Sequence, residues 1–116
     1  MNLSDEELVE LVYDHLCENQ PDAVASLSDA EIQRRAKIGV ARARGHGLDT
    51  EGAIAAFVSL MFLVAPNFDQ NPAIAAVLRD SKSKADDRMK KLFERTREED
   101  WEAAAAASDP SVWGTS

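Results

Sequence analysis

The stretch AIAAFVSLMFLVA, residues 53–65, decides the fold of this chain. Ser59 is its one polar residue, and it carries no charge. A helix that is apolar on nearly every face is normally enclosed by other helices, whereas a membrane-spanning helix needs about 20 apolar residues. We therefore expect a buried helix that begins near Asp49 or Thr50, ends just before Pro66 and forms the centre of a helical domain.

Two near-copies of one hexapeptide, LSDEEL at residues 3–8 and LSDAEI at residues 27–32, have the pattern of a helix start. In each copy a serine takes the N-cap position, and a glutamate three residues later can bond back to the serine's backbone N–H. The cap pairs are Ser4 with Glu7 and Ser28 with Glu31, and the hydrophobic clamps are Leu3 with Leu8 and Leu27 with Ile32. The helix bodies that follow differ, since one is acidic and the other basic. We therefore interpret the copies as a repeated helix-start device and not as a duplicated unit.

Apolar residues recur at helical spacing along the chain, and no segment of any length alternates like a strand. The predicted helices cover about 4–19, 28–44, 49–65, 72–79 and a last stretch from 81–86 to as far as 107. They form an all-α domain of four to five helices over residues 1–107, packed around the apolar central helix. Residues 108–116 are predicted to be a flexible C-terminal tail. Its Trp113 is either docked on the domain or exposed as a contact for a partner.

Composition and charge disfavour several classes of protein. A single cysteine allows no disulfide within the chain, which fits a reducing compartment. The acidic N-terminus does not resemble a secretory signal, and we expect a cytoplasmic protein that has no membrane partner. The net charge of −8 argues against nucleic acid as a partner, because such binders need a basic face to displace counterions.

Charge is distributed in blocks along the chain. Residues 1–31 hold nine acidic and no basic residues, and residues 32–48 hold five basic and no acidic residues. The acidic and basic helices could neutralise each other within the fold, or the acidic helix could present a face to a basic partner protein. On the second interpretation we predict that Glu6, Glu10 and Asp14 contact the partner.

Few residues have the pattern of a catalytic, metal or phosphate site. Cys17 and His46 could form a nucleophile–base pair only if the fold brought them together. His15 and Cys17 lie on roughly opposite sides of a helix, which is poor for chelation. Asp69 and Asn71 lack the rest of a calcium-binding pattern, so we interpret them as loop caps. The RARGHG segment ends a helix, where the dipole repels anions. We expect a protein that is not an enzyme and holds no metal or cofactor.

Residues 41–80, ARARGHGLDTEGAIAAFVSLMFLVAPNFDQNPAIAAVLRD, combine a basic helix end, an acidic helix start, an apolar helix and a loop with two prolines. This segment, most clearly HGLDTEGAI and APNFDQNP, resembles small helical proteins encoded beside spike and effector genes of bacterial type VI secretion systems. The resemblance covers about a third of the chain and brings no catalytic residues. It implies a cytoplasmic accessory protein, either a chaperone or adaptor that holds an effector for loading or an immunity protein that blocks a toxin.

The leading hypothesis from the sequence is a non-enzymatic protein-binding module that serves as chaperone or adaptor for a secreted effector. An immunity protein that neutralises a toxin by direct binding is the first alternative. A small ligand-binding domain or enzyme is the second, and an enclosed polar pocket around His15 or His46 would favour it. The acidity of the chain suits a basic effector or toxin. We expect Phe57, Met61 and Phe62 to belong to the core and not to the binding surface.

Overall fold

A computed structural model describes residues 4–80 and 82–114 of the chain. Within these residues the chain forms seven α-helices, two short 3-10 helices and no strand. The α-helices are α1 (Asp5–Asn19), α2 (Pro21–Val24), α3 (Asp29–Gly45), α4 (Glu51–Leu63), α5 (Pro72–Leu78), α6 (Ala85–Arg95) and α7 (Glu98–Ala106), and the 3-10 turns are Phe68–Gln70 and Pro110–Trp113. The predicted all-α class is confirmed, although the helices are more numerous and shorter than the four to five expected.

The predicted N-caps of α1 and α3 are confirmed. Ser4 Oγ accepts a hydrogen bond from the Glu7 N–H at 3.2 Å, and the Glu7 carboxylate accepts one from the Ser4 N–H at 3.4 Å. In α3 the Glu31 N–H donates to Ser28 Oγ at 3.1 Å. The return bond predicted there is wrong, because two arginines of the same helix hold the Glu31 carboxylate instead. The clamp predicted at Leu3 lies outside the described residues.

The apolar stretch forms α4, which packs against α1, α2, α3 and α6. Phe57 and Met61 are fully buried, as predicted for the core, while Leu63 near the helix end is 49% exposed. α3 approaches α4 closely because Gly39 has no side chain. A Cβ atom at that position would lie 2.8 Å from Cγ1 of Val58, so any larger residue would push the two helices apart.

A left-handed glycine ends α3 and turns the chain toward α4. Gly47 has φ +82°, its N–H donates to the carbonyl of Arg44 at 2.9 Å, and the Leu48 N–H donates to the carbonyl of Ala43 at 3.2 Å. This is the bonding of a Schellman motif, which favours glycine at the left-handed position. Of the two glycines that could end the helix, Gly47 does so, and Gly45 remains helical.

The last helix predicted from the sequence is wrong in its extent, since the segment forms two helices, α6 and α7. Thr96 and Arg97 between them have extended backbone, with ψ 162° and 159°. Asp100 accepts a hydrogen bond from the Arg97 N–H at 2.9 Å, and the Trp101 indole donates to Thr96 Oγ1 at 2.9 Å. These side-chain bonds favour a new helix start at a place where helix propensity alone gives no break.

The C-terminal 3-10 turn lies against the domain and settles the alternatives for Trp113 in favour of docking. Trp113 is 6% exposed. Its ring packs on the half-buried ring of Phe62, with 5.1 Å between centroids, and the Arg35 guanidinium lies 5.4 Å above it. Arg34 also donates a hydrogen bond to the Trp113 carbonyl. The predicted tail over 108–116 therefore includes an anchored turn, and its last two residues lie outside the described part of the chain.

The size of the structure is that of one compact domain. Its radius of gyration is 13.4 Å, close to the ~13 Å expected for a folded chain of this length. In the described residues no helix has both the length and the apolar character needed to cross a membrane.

Candidate functional site

One side of α1 is a continuous acidic surface. Leu8, Val12 and Leu16 are buried on the inner side of the helix, and carboxylates at spacings of three and four residues are exposed on the outer side. We call this outer surface the acidic ridge, and its residues are Glu6, Glu7, Glu10, Asp14 and Glu18. All three acids predicted to contact a partner belong to it.

The ridge keeps its charge, because its carboxylates form no ion pair with any described residue. An ion pair of 2.8 Å joins Asp5 to Arg44 beside one end of the ridge. Arg34 and Arg35 instead hold Glu31 on their own helix, at 2.7 and 2.6 Å, and their hydrogen bonds lower the pKa of Glu31 to about 2. Mutual neutralisation of the acidic and basic helices, the first interpretation of the charge blocks, is thus confined to the helix ends.

A groove between α1 and α3 borders the ridge on one side and has a volume of about 670 Å³. Glu6 and Glu10 line its α1 wall together with Val9, and Arg34 and Lys37 line its α3 wall. Because the two walls carry opposite charges, the field of the ridge is partly cancelled on this side.

An apolar depression of about 320 Å³ lies on the other side of the ridge, between α1 and α4. We call it the α1–α4 depression, and its lining residues are Leu11, His15, Glu51, Gly52, Ala55 and Ala56. Leu11 and His15 also line the surface formed by the ridge residues from Glu7 to Glu18, so the depression and the ridge are continuous. Neither a lysine nor an arginine occurs among the described residues that line them.

The position of Trp113 does not fit the predicted contact with a partner. Phe62 packs against one part of its ring, and the Arg35 guanidinium covers another. A partner would reach the ring only if the C-terminal turn left the domain. The predicted site residues are therefore divided, with the three acids of α1 together on the exposed ridge and Trp113 inside the fold.

The best-formed polar cluster lies at the end of α3, and the sequence analysis missed it. Asp69 is 5% exposed; it accepts two hydrogen bonds of 2.7 Å from the Arg42 guanidinium and lies 2.7 Å from Nε2 of His46. Burial favours the neutral carboxyl, but the hydrogen bonds from His46 and Arg42 outweigh it and hold the pKa of Asp69 below its usual value. The loop-cap interpretation is therefore wrong for Asp69 and correct for Asn71, which caps α5.

The cleft beside this cluster has a volume of about 500 Å³ and is open to solvent. Its described lining residues include no Ser, Thr, Cys or Tyr, so the pair of His46 and Asp69 has no nucleophile to activate. Cys17 lies far away, because Asp5 is beside Arg44 at the end of α3 and Cys17 is about 18 Å further along α1 at 1.5 Å per residue. The cysteine–histidine pair considered from the sequence is not formed.

Arg88 is a buried cation that the sequence analysis also missed. It is 8% exposed and donates hydrogen bonds to the carbonyls of His46 at 2.7 Å, Leu78 at 3.1 Å and Gly47 at 3.2 Å. Carbonyl groups at the C-terminal ends of helices carry partial negative charge. Arg88 therefore stabilises the ends of α3 and α5 together, and the RARGHG segment presents carbonyls to this cation.

No protein-family model, no curated protein and no solved structure matches the chain. The functional argument therefore depends on the residues themselves. In the described part of the chain, no three His, Cys, Asp or Glu side chains lie close enough to hold a metal ion. Two polar features remain, namely the Asp69 cluster, whose charges are paired and largely enclosed, and the acidic ridge, whose charges are exposed and unpaired.

Proposed function

We propose that this chain is a non-enzymatic protein-binding module that captures a basic partner protein through the acidic ridge. The observation that carries the proposal is the set of exposed, unpaired carboxylates along α1. Like charges four residues apart weaken a helix, so the ridge gives the fold no evident benefit. A surface of one sign accelerates and orients the binding of a partner of opposite sign.

The role we propose is that of a chaperone or adaptor for a secreted bacterial effector, in the cytoplasm and in a type VI secretion setting. The resemblance of residues 41–80 supports that setting. The polar clusters support a role without catalysis, since Asp69, Arg42 and Arg88 are engaged in bonds between elements of the fold. The basic effector would be bound before secretion and released to the secretion machinery.

Co-expression with the effector or toxin gene next to this one in the genome tests the role. A chaperone or adaptor increases the soluble yield or the secretion of the effector and does not restore the growth of cells that the effector poisons. Restored growth together with a stable complex would identify an immunity protein instead. If the chain changes neither growth nor yield and forms no complex, the proposed function is wrong.

Charge reversal tests whether the ridge is the binding surface. Replacing Glu6→Lys, Glu10→Lys and Asp14→Lys together should lower capture of the effector roughly tenfold or more, because the steering field is inverted. The matched control carries Glu94→Lys, Glu99→Lys and Glu102→Lys, which change the net charge equally at exposed positions of α6 and α7. Equal losses in the two triple variants would mean that net charge matters and the ridge does not.

A further inference from the structure

We infer that the α1–α4 depression is a docking groove for a basic amphipathic helix of the partner. This inference rests on the proposed function and adds the shape and chemistry of the segment that binds. The ridge alone would attract any basic surface. The depression beside it selects a partner whose basic side chains flank an apolar stripe.

The floor of the depression is apolar and can accept another helix. Leu11 is half-buried on α1, and Ala55 and Ala56 lie next to each other on α4. The Gly52 position is open, because a Cβ atom placed there would meet only the Asp86 carboxylate, at 3.9 Å. Small side chains on one wall and a leucine on the other leave room for an apolar side chain that enters from outside.

Charge decides which kind of helix fits. Acidic side chains border the apolar floor on both sides, with Glu51 on α4 and Glu7, Glu10, Asp14 and Glu18 along α1. An incoming helix with lysines or arginines on both flanks of an apolar stripe would pair with both borders, whereas an acidic helix would be repelled.

The length of the acidic border sets the length of the occupant. From Glu7 to Glu18 the ridge extends about 17 Å at 1.5 Å per residue, which corresponds to a helix of roughly three turns. A helix in a groove is the recognition mode that fits this surface, because the described residues contain no sheet edge to which an extended peptide could add.

Two synthetic peptides of the same composition test the inference. One has about 14 residues of leucine and lysine with the leucines at i, i+3, i+4 and i+7, and the other has the same residues in scrambled order. Isotope-labelled chain is titrated with each peptide and followed by NMR. The patterned peptide should bind roughly tenfold tighter than the scrambled one and should shift the amide signals of Gly52, Ala55 and Ala56.

Variants of two exposed glycines provide the matched control. Gly52→Arg places a long cation at the mouth of the depression and should abolish the preference for the patterned peptide. Gly45→Arg adds the same side chain to the end of α3, where a Cβ atom would meet nothing within 4 Å, and should leave the preference intact. Ala56→Arg is a second variant in the depression, and thermal unfolding of each variant checks that it folds.

The outcomes separate this inference from the proposed function. Equal binding of both peptides, lost in the triple ridge variant, would overturn the docking groove and leave the acidic ridge as a binding surface. Binding of the patterned peptide that ignores both Gly52→Arg and Ala56→Arg would also overturn the groove. Failure of the ridge reversal to affect either peptide or the effector would overturn the proposed function itself.

Discussion

α1 and α3 begin with the same helix-start device and use their charges in opposite ways. In α3, Arg42 holds Asp69, and Arg34 and Arg35 share Glu31 while they also contact the docked Trp113. In α1, the carboxylates of the ridge have no cationic partner among the described residues. The basic helix therefore spends much of its charge on the fold, and the acidic helix keeps its charge for a partner. The comparison teaches that the charge of a segment says little about its role until its pairing is known.

Removal of the buried carboxylate should break the α3 side of the comparison most severely. Asp69→Asn deprives Arg42 and His46 of their anionic partner, and we expect a loss of roughly 2–3 kcal/mol in the free energy of unfolding. Chemical denaturation measures the loss. The control Asp14→Asn removes an exposed, unpaired carboxylate of the ridge and should stay within about 0.5 kcal/mol of the parent. Similar values for the two variants would remove the distinction between paired and unpaired charge.

The shared helix start should contribute equally to both helices. Ser4→Ala and Ser28→Ala each remove the hydroxyl that accepts an N–H of the first turn, and each should cost about 1 kcal/mol of stability. Thermal or chemical unfolding measures both. Neither change alters the ridge, so effector capture should be unaffected; a loss of capture without loss of stability would show that the device has a binding role.

Acid should weaken the fold through the paired carboxylates of the α3 side. The pKa of Glu31 is about 2 in the folded chain and about 4.3 for an unperturbed glutamate. Between these values the unfolded chain binds more protons, so stability falls as the pH drops from about 5 toward 2. The lowered pKa of Asp69 acts in the same direction.

Urea unfolding midpoints at several pH values from neutral to acid measure this dependence. In Glu31→Gln the fall should be shallower than in the parent, by less than in Asp69→Asn, because Glu31 is more exposed than Asp69. Glu10→Gln on the ridge serves as the control, since its carboxylate has no ion-pair partner. An equal change of slope in Glu10→Gln and Glu31→Gln would contradict the assignment of the charges.

Local features of the fold could be predicted from the sequence because their causes lie within a few residues. Ser4, Ser28 and Asn71 are caps whose hydrogen bonds reach only two or three positions along the chain. The burial of Phe57 and Met61 follows from the apolar character of one short segment. Exposure of the ridge follows in the same way from the helical period of α1.

The features that the sequence did not reveal depend on contacts between distant residues. Asp69 meets Arg42 and His46 across more than 20 positions of the chain, and only the i, i+4 spacing of those two residues on α3 hinted at a shared partner. Arg88 was one of several bases in a basic segment until its carbonyl partners were known. Trp113 docks on a helix about 80 residues away in sequence, which no local pattern indicates.

The salt dependence of effector binding tests the central claim most directly. Isothermal titration or fluorescence anisotropy from low to high salt would compare the parent chain, the triple ridge variant and the triple control on α6 and α7. We predict that the parent and the control bind tightly at low salt and weaken steeply as salt screens the ridge, and that the ridge variant binds weakly with little salt dependence. Equal affinity and equal salt dependence of all three proteins would contradict the claim that the unpaired acids of α1 form the binding surface.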